Sequence, residues 1–91
     1  MSLDLAVLLA HWARARCAVA WAALSERGPA TAALREAARR ARRMERLRGL
    51  PVAAPHAGLI RAAIAHQSGR DSEAVRHLER AESAFAERGL V

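Results

Sequence analysis

Three short breaker segments divide this chain into four stretches that have the composition of helices. The breakers are Gly28-Pro29, Gly49-Leu50-Pro51 and Gly69-Arg70-Asp71, and segments of this kind end helices and form turns. Alanine, leucine and arginine dominate between them and favour helix, and no stretch alternates apolar and polar residues as a strand does. The sequence therefore predicts an all-α fold of two antiparallel helical hairpins, at about residues 3–48 and 54–88.

The composition limits how such hairpins pack. The 91 residues suit one domain over residues 1–91, and they are 53% apolar but only 3% aromatic, so alanine supplies most of the apolar surface. Alanine buries little area, and Trp12, Trp21 and Phe85 are therefore expected to be packing anchors. The core-facing stripe of the fourth helix is predicted to contain Ala74, Val75, Leu78, Ala81 and Phe85.

The first residues and the cysteine content indicate where in the cell the protein is expected to be. Cys17 is the one cysteine, so no internal disulfide can form, and a reducing cytoplasmic location is expected. Asp4 stands where a secretory signal has basic residues, and His11 and Arg14 interrupt the apolar run that follows. Neither a signal peptide nor a membrane span is predicted.

The two hairpins repeat one another at a distance of about forty residues. Arg48-Gly49-Leu50 recurs as Arg88-Gly89-Leu90, and the turn glycines Gly28 and Gly69 are 41 positions apart. Gly49 and Gly89 are each expected to end a helix in the left-handed conformation. A fixed period of this size is typical of helical solenoids, in which neighbouring repeats bury their apolar faces on one another.

The second hairpin resembles a degenerate tetratricopeptide repeat. Gly69-Arg70-Asp71-Ser72-Glu73-Ala74, followed by Leu78 and Ala81, is similar to the turn and second helix of that family. Gly58 and Arg61 depart from it, since the family has large apolar residues there. The similarity is moderate over residues 54–91 and weak over residues 12–50. The repeats that the chain resembles are attached to serine/threonine kinases and signalling ATPases of GC-rich bacteria. It implies a C-terminal fragment of such a protein that binds proteins along a groove, and it identifies no individual binding residue.

No residue pattern predicts catalysis, a cofactor or a metal site. The four histidines His11, His56, His66 and His77 have neither HExxH nor CxxC neighbours. Asp71, Ser72 and Glu73 stand at a helix start, where capping and the helix dipole account for acidic and hydroxyl side chains. Cys17 is expected to be a small buried side chain. The chain is therefore not expected to be an enzyme.

Arginine is concentrated in the second helix. Residues 28–70 contain nine arginines and two glutamates within a chain of net charge +6, whereas residues 71–91 have a net charge of −2. The arginines are expected to surround much of the helix. They form a basic surface that is either solvated or binds an acidic protein, a second copy, nucleic acid or an acidic membrane. The residues of this predicted surface are Arg35, Arg39, Arg42, Arg43 and Arg46.

The first helix is apolar on nearly every side, and such a helix needs neighbours on more than one side. Leu5, Leu8, Leu9 and Trp12 are predicted to form an exposed patch that contacts preceding repeats or a second copy. Three functions remain open. The first is a protein-interaction or scaffold module, which the resemblance implies is the regulatory part of a bacterial signalling protein. The second is electrostatic nucleic-acid binding, and the third is a structural cap of a longer solenoid.

Overall fold

The computed structural model describes residues 3–89, which form four α-helices and no strand. The helices are α1 (Leu3–Leu24), α2 (Arg27–Glu45), α3 (Ala53–Gln67) and α4 (Asp71–Glu87). The predicted all-α fold is confirmed. The boundaries differ most for α2, which ends at Glu45, three residues before the predicted end at residue 48, and whose first turn contains Gly28 and Pro29. Proline is tolerated there, since the first N–H groups of a helix have no partner within the helix.

The helices pack as two stacked hairpins. Short connections make α1 antiparallel to α2 and α3 antiparallel to α4. Within the described residues, α3 also packs against both α1 and α2, whereas α4 packs closely against α3 alone. At the end of α3, the side-chain amide of Gln67 donates a hydrogen bond of 2.9 Å to the carbonyl of Val19 in α1. The second hairpin is thus held to the first through α3.

The core consists of small side chains around two large ones. Leu8 and Met44 are the largest fully buried side chains, and most of the others are alanines from α1, α2 and α3. Trp12 and Phe85 are half-buried, and each ring meets the imidazole of His56 edge-on, at 4.9 and 5.1 Å between ring centroids. Trp21 is exposed, so its predicted role as a packing anchor is wrong.

The turns differ in how they use glycine. Gly69 has φ 79°, and after it the N–H of Arg70 donates to the carbonyl of Ala65 at 2.8 Å, which ends α3. Gly89 is also left-handed at φ 72°, while Leu90 lies outside the described residues. The same prediction is wrong for Gly49. There α2 has already ended at Glu45, and successive short turns carry the chain to α3 without a positive φ.

Gly58 offers a direct test of the packing between α3 and α4. A Cβ atom at this position would lie 3.6 Å from the Cβ of Ala81 and 3.8 Å from the carbonyl of His77, which are ordinary van der Waals distances. We expect Gly58→Ala to raise the free energy of unfolding by roughly 0.5–1 kcal/mol, since alanine is the better helix former.

Chemical denaturation followed by circular dichroism would measure this change. Gly69→Ala is the matched control, because its φ of 79° strains any residue with a Cβ, and the free energy of unfolding should fall. A loss of stability in Gly58→Ala would mean that the two helices cannot accept a methyl group between them.

Candidate interaction surfaces

The arginines of α2 lie mainly on one face of the helix. Arg35, Arg39, Arg42 and Arg46 follow one another at intervals of three or four residues, and Arg43 lies beside them. These five residues, here called the arginine ridge, are all exposed and lie opposite the buried side of α2. The expectation that the arginines surround the helix is therefore wrong for these five, because the core requires alanine and methionine on the other side.

Most of the ridge is free of internal ion pairs. Glu36 is the acidic residue beside it, and its carboxylate accepts hydrogen bonds from Arg39 and Arg40. The hydrogen bonds from Arg39 and then Arg40 lower the pKa of Glu36. Within residues 3–89, Arg35, Arg42, Arg43 and Arg46 form no side-chain hydrogen bond and no ion pair. Four of the five arginines of the ridge therefore present guanidinium groups that no carboxylate of α2 binds directly.

The histidines are scattered, and each has a local partner. Burial, followed by the charges of Arg40 and other nearby arginines, lowers the pKa of His11, whose neutral Nδ1 accepts a hydrogen bond from Arg40 at 3.2 Å. His66 Nδ1 lies 3.0 Å from the Asp71 carboxylate, and His77 Nε2 lies 3.8 Å from that of Glu73. No group of three or more His, Cys, Asp or Glu side chains in the described part of the chain is arranged to hold a metal ion.

An ion pair links the end of α2 to α3. The guanidinium of Arg61 donates two hydrogen bonds to the carboxylate of Glu45, at 2.6 and 2.8 Å. This interaction lowers the pKa of Glu45 and raises that of Arg61, against the opposing effect of their partial burial. Both side chains line a groove of about 340 Å³ between α2, α3 and α4, and within it each neutralises the charge of the other.

The predicted patch on α1 is only partly exposed. Leu8 is 1% exposed and belongs to the core, whereas its neighbour Leu9 is 50% exposed. Leu5 and Trp12 are half-buried, and the guanidinium of Arg16 lies 5.6 Å from the centre of the Trp12 ring. The prediction of a continuous exposed patch is wrong because this side of α1 turns toward α2 and α3.

Two neighbouring grooves make a large apolar surface that contains no residue of α2. One groove, of about 430 Å³, lies between α3 and α4, and the other, of about 270 Å³, lies between α1 and α3. Leu59 and Ala63 line both grooves and so connect them. The surface is here called the apolar face, and its larger members are Trp12, Val19, Leu59, Val75 and Leu78.

Val75 and Leu78 are exposed, although the sequence placed both on the core-facing stripe of α4. Both belong to the apolar stripe of α4, yet only Ala74 and Ala81 of that stripe are buried. The stripe is wider than the single neighbouring helix, α3, can cover. Cys17, which was expected to be buried, is exposed as well.

Comparisons with known proteins give this chain no relative. No family model matches it, no curated protein matches it, and no solved structure matches it. The tetratricopeptide resemblance therefore stays a prediction. None of the helices within residues 3–89 combines the length and the apolar character needed to cross a membrane.

Proposed function

We propose that this chain is a non-catalytic protein-interaction module whose apolar face binds a helix of a partner protein. The observation that carries this proposal is the exposure of Val75 and Leu78, at 52% and 48%, beside Leu59 in the groove between α3 and α4. Apolar side chains clustered in a groove are typical of surfaces that another protein covers.

A helix is the occupant that the packing of the chain itself favours. The first hairpin already accepts a helix, since α3 lies against both α1 and α2. A helix in the groove between α3 and α4 would pack on the second hairpin as α3 packs on the first. Amphipathic helices bind such grooves through apolar residues spaced three and four positions apart.

The charge of α4 defines the partner further. Asp71 lines the groove, and Glu79 and Glu82 are exposed farther along the same helix. Residues 71–87 contain five acidic side chains against Arg76 and Arg80. A partner helix with an apolar stripe and basic flanking residues complements this surface. The resemblance to repeats of bacterial signalling proteins adds the expectation of a regulatory role.

The test is selection of binders from a displayed library of helical peptides on the immobilised chain. We expect peptides with apolar residues at intervals of three and four and with basic flanks. Leu78→Glu should weaken them by at least about tenfold, since a buried leucine side chain contributes roughly 1.5–3 kcal/mol.

Leu24→Glu is the matched control, because Leu24 is exposed on α1, away from the grooves. It should leave the peptide affinity unchanged. Recovery of no such peptides, or equal affinity for Leu78→Glu and the unmodified chain, would contradict the proposal and favour a structural cap of a solenoid.

A second candidate function is electrostatic binding of nucleic acid by the arginine ridge. Four of its five arginines have no internal ion pair, and from Arg35 to Arg46 the ridge extends about 16 Å along α2. Lines of arginine at this spacing bind phosphate groups and displace their counterions. The ridge and the apolar face have no residue in common, so the two functions can be separated by substitution.

A further inference from the structure

The side of α1 that faces neither α2 nor α3 is apolar along its whole length. Seven residues recur there at intervals of three or four, which places them on one face of the helix. This surface is here called the outer face of α1, and it is distinct from the apolar face. Its residues are Leu3, Ala6, Ala10, Ala13, Cys17, Trp21 and Leu24, and all seven are exposed.

The outer face has large apolar groups at both ends and no charged side chain among its seven members. Leu3 is 79% exposed, Trp21 65% and Leu24 90%. An indole and two leucine side chains left in water on a single helix lose the stabilisation that burial gives. A helix that is apolar on all sides normally has neighbours on all sides.

We infer that two copies of this chain associate through the outer face of α1, with the two helices antiparallel. The pattern of the face is self-complementary about a two-fold axis between residues 13 and 14. Leu3 of one copy then lies beside Leu24 of the second copy, Ala6 beside Trp21, and Ala10 beside Cys17. The pairs are leucine with leucine, alanine with tryptophan and alanine with cysteine, so each of these apolar side chains meets another one, and isologous contacts require such self-complementarity.

Small residues in the middle of the face allow the two helices to approach closely. Ala10 and Ala13 lie nearest the axis, and alanine permits interaxial distances at the short end of the usual 8–10 Å, about 8 Å. The leucines and Trp21 then close the contact at each end. The three- and four-residue spacing over the 22 residues of α1 is that of helices packed side by side in a coiled coil.

The accessible surface of the whole chain exceeds that of a compact monomer by about the area that one interface buries. The accessible surface is 6084 Å². A compact monomer of the same mass exposes about 5,200 Å², so the excess is roughly 900 Å². A stable interface of standard size buries about 800 Å² on each partner.

Electrostatics oppose this contact and make it dependent on salt. Each copy has a net charge of +6, and Arg14 lies at the edge of the outer face close to the two-fold axis. The repulsion between copies weakens when salt screens it. The dimer should therefore become stronger as salt is added, which is the opposite of the salt dependence of phosphate binding.

Light scattering after size-exclusion chromatography, over a range of concentrations, tests the association. We expect a dimer whose dissociation constant rises about 30-fold or more in the double variant Trp21→Ser/Leu24→Ser. The control Val75→Ser/Leu78→Ser removes two exposed apolar side chains from the apolar face and should leave the dimer intact. A monomer at every concentration, or equal weakening by both variants, would overturn the inference.

Disulfide cross-linking tests the direction of the helices. In a Cys17→Ala background, Ala13→Cys places two thiols beside the two-fold axis, with Cα atoms about 6 Å apart or less, and should form a disulfide-linked dimer. The unmodified Cys17 should not cross-link, because its two copies are separated by about 10 Å along the axis. Ala86→Cys in the same background is the exposed control. Cross-linking of Cys17 in the unmodified chain would show parallel helices and overturn the antiparallel geometry.

The dimer and the proposed peptide binding do not depend on each other. Trp21→Ser/Leu24→Ser should retain the affinity for selected peptides, and Leu78→Glu should retain the dimer. A failure of one proposal is therefore recognisable without reference to the other.

Discussion

Replacing Leu8 by alanine is expected to lower the free energy of unfolding by about 2–5 kcal/mol, which is the range measured for buried leucines. Leu8 is one of the two largest fully buried side chains, and it belongs to a core cluster in which five of the eight buried residues are alanines. The loss of stability combines the burial that the removed atoms no longer contribute with the cost of the cavity that they leave. A domain of this size has a total stability of only about 5–14 kcal/mol, and the variant is expected to be partly unfolded on gentle heating.

Leu9→Ala is the matched control, since it is the same substitution at the next position of α1. Leu9 is half exposed, and its truncation should change the free energy of unfolding by less than about 1 kcal/mol. Denaturant titrations at one fixed protein concentration measure both variants and keep any contribution of self-association constant. Equal losses for Leu8→Ala and Leu9→Ala would show that α1 does not pack on α2 and α3 with the rotation described above.

The number and extent of the helices were predictable because they follow from local signals. Glycine or proline stands near each boundary between one helix and the next, and the long alanine-rich stretches between them favour helix. The antiparallel arrangement within each hairpin follows from the short connections. The detailed turns were not predictable, because the chain between Glu45 and Ala53 makes several short turns whose geometry depends on how α3 packs.

The orientation of α1 could not be read from its sequence. Leu5, Leu8, Leu9 and Trp12 were predicted to be exposed, yet an almost uniformly apolar helix has no pattern that says which side is buried. The neighbouring helices determine which side of α1 is buried. Met44 and Ile60 pack in the same core cluster as Leu8, and Trp21 lies outside that cluster. The exposure of the arginine ridge was easier to predict, because α2 is amphipathic and its charged side faces solvent.

Reversing the charge of the arginine ridge is expected to abolish binding to nucleic acid. We expect the unmodified chain to bind a random DNA duplex at low salt and to lose about 100-fold in affinity between about 50 and 200 mM salt, as contact with roughly four phosphates requires. The triple variant Arg35→Glu/Arg42→Glu/Arg46→Glu removes three arginines that have no ion pair and places carboxylates among the remaining two. Fluorescence anisotropy of a labelled duplex at several salt concentrations gives both the affinity and the salt dependence.

The matched control is Arg76→Glu/Arg80→Glu/Arg88→Glu, which changes three exposed arginines outside the ridge. Both triple variants bring the formal net charge from +6 to zero, so they differ only in where the charge is changed. If the ridge binds phosphate, the control retains most of the affinity and the salt dependence, whereas the ridge variant loses both. Equal losses in the two variants would mean that net charge alone attracts the duplex. No binding by the unmodified chain at low salt would leave the ridge as a solvated face of α2, and the apolar face as the surface that binds partners.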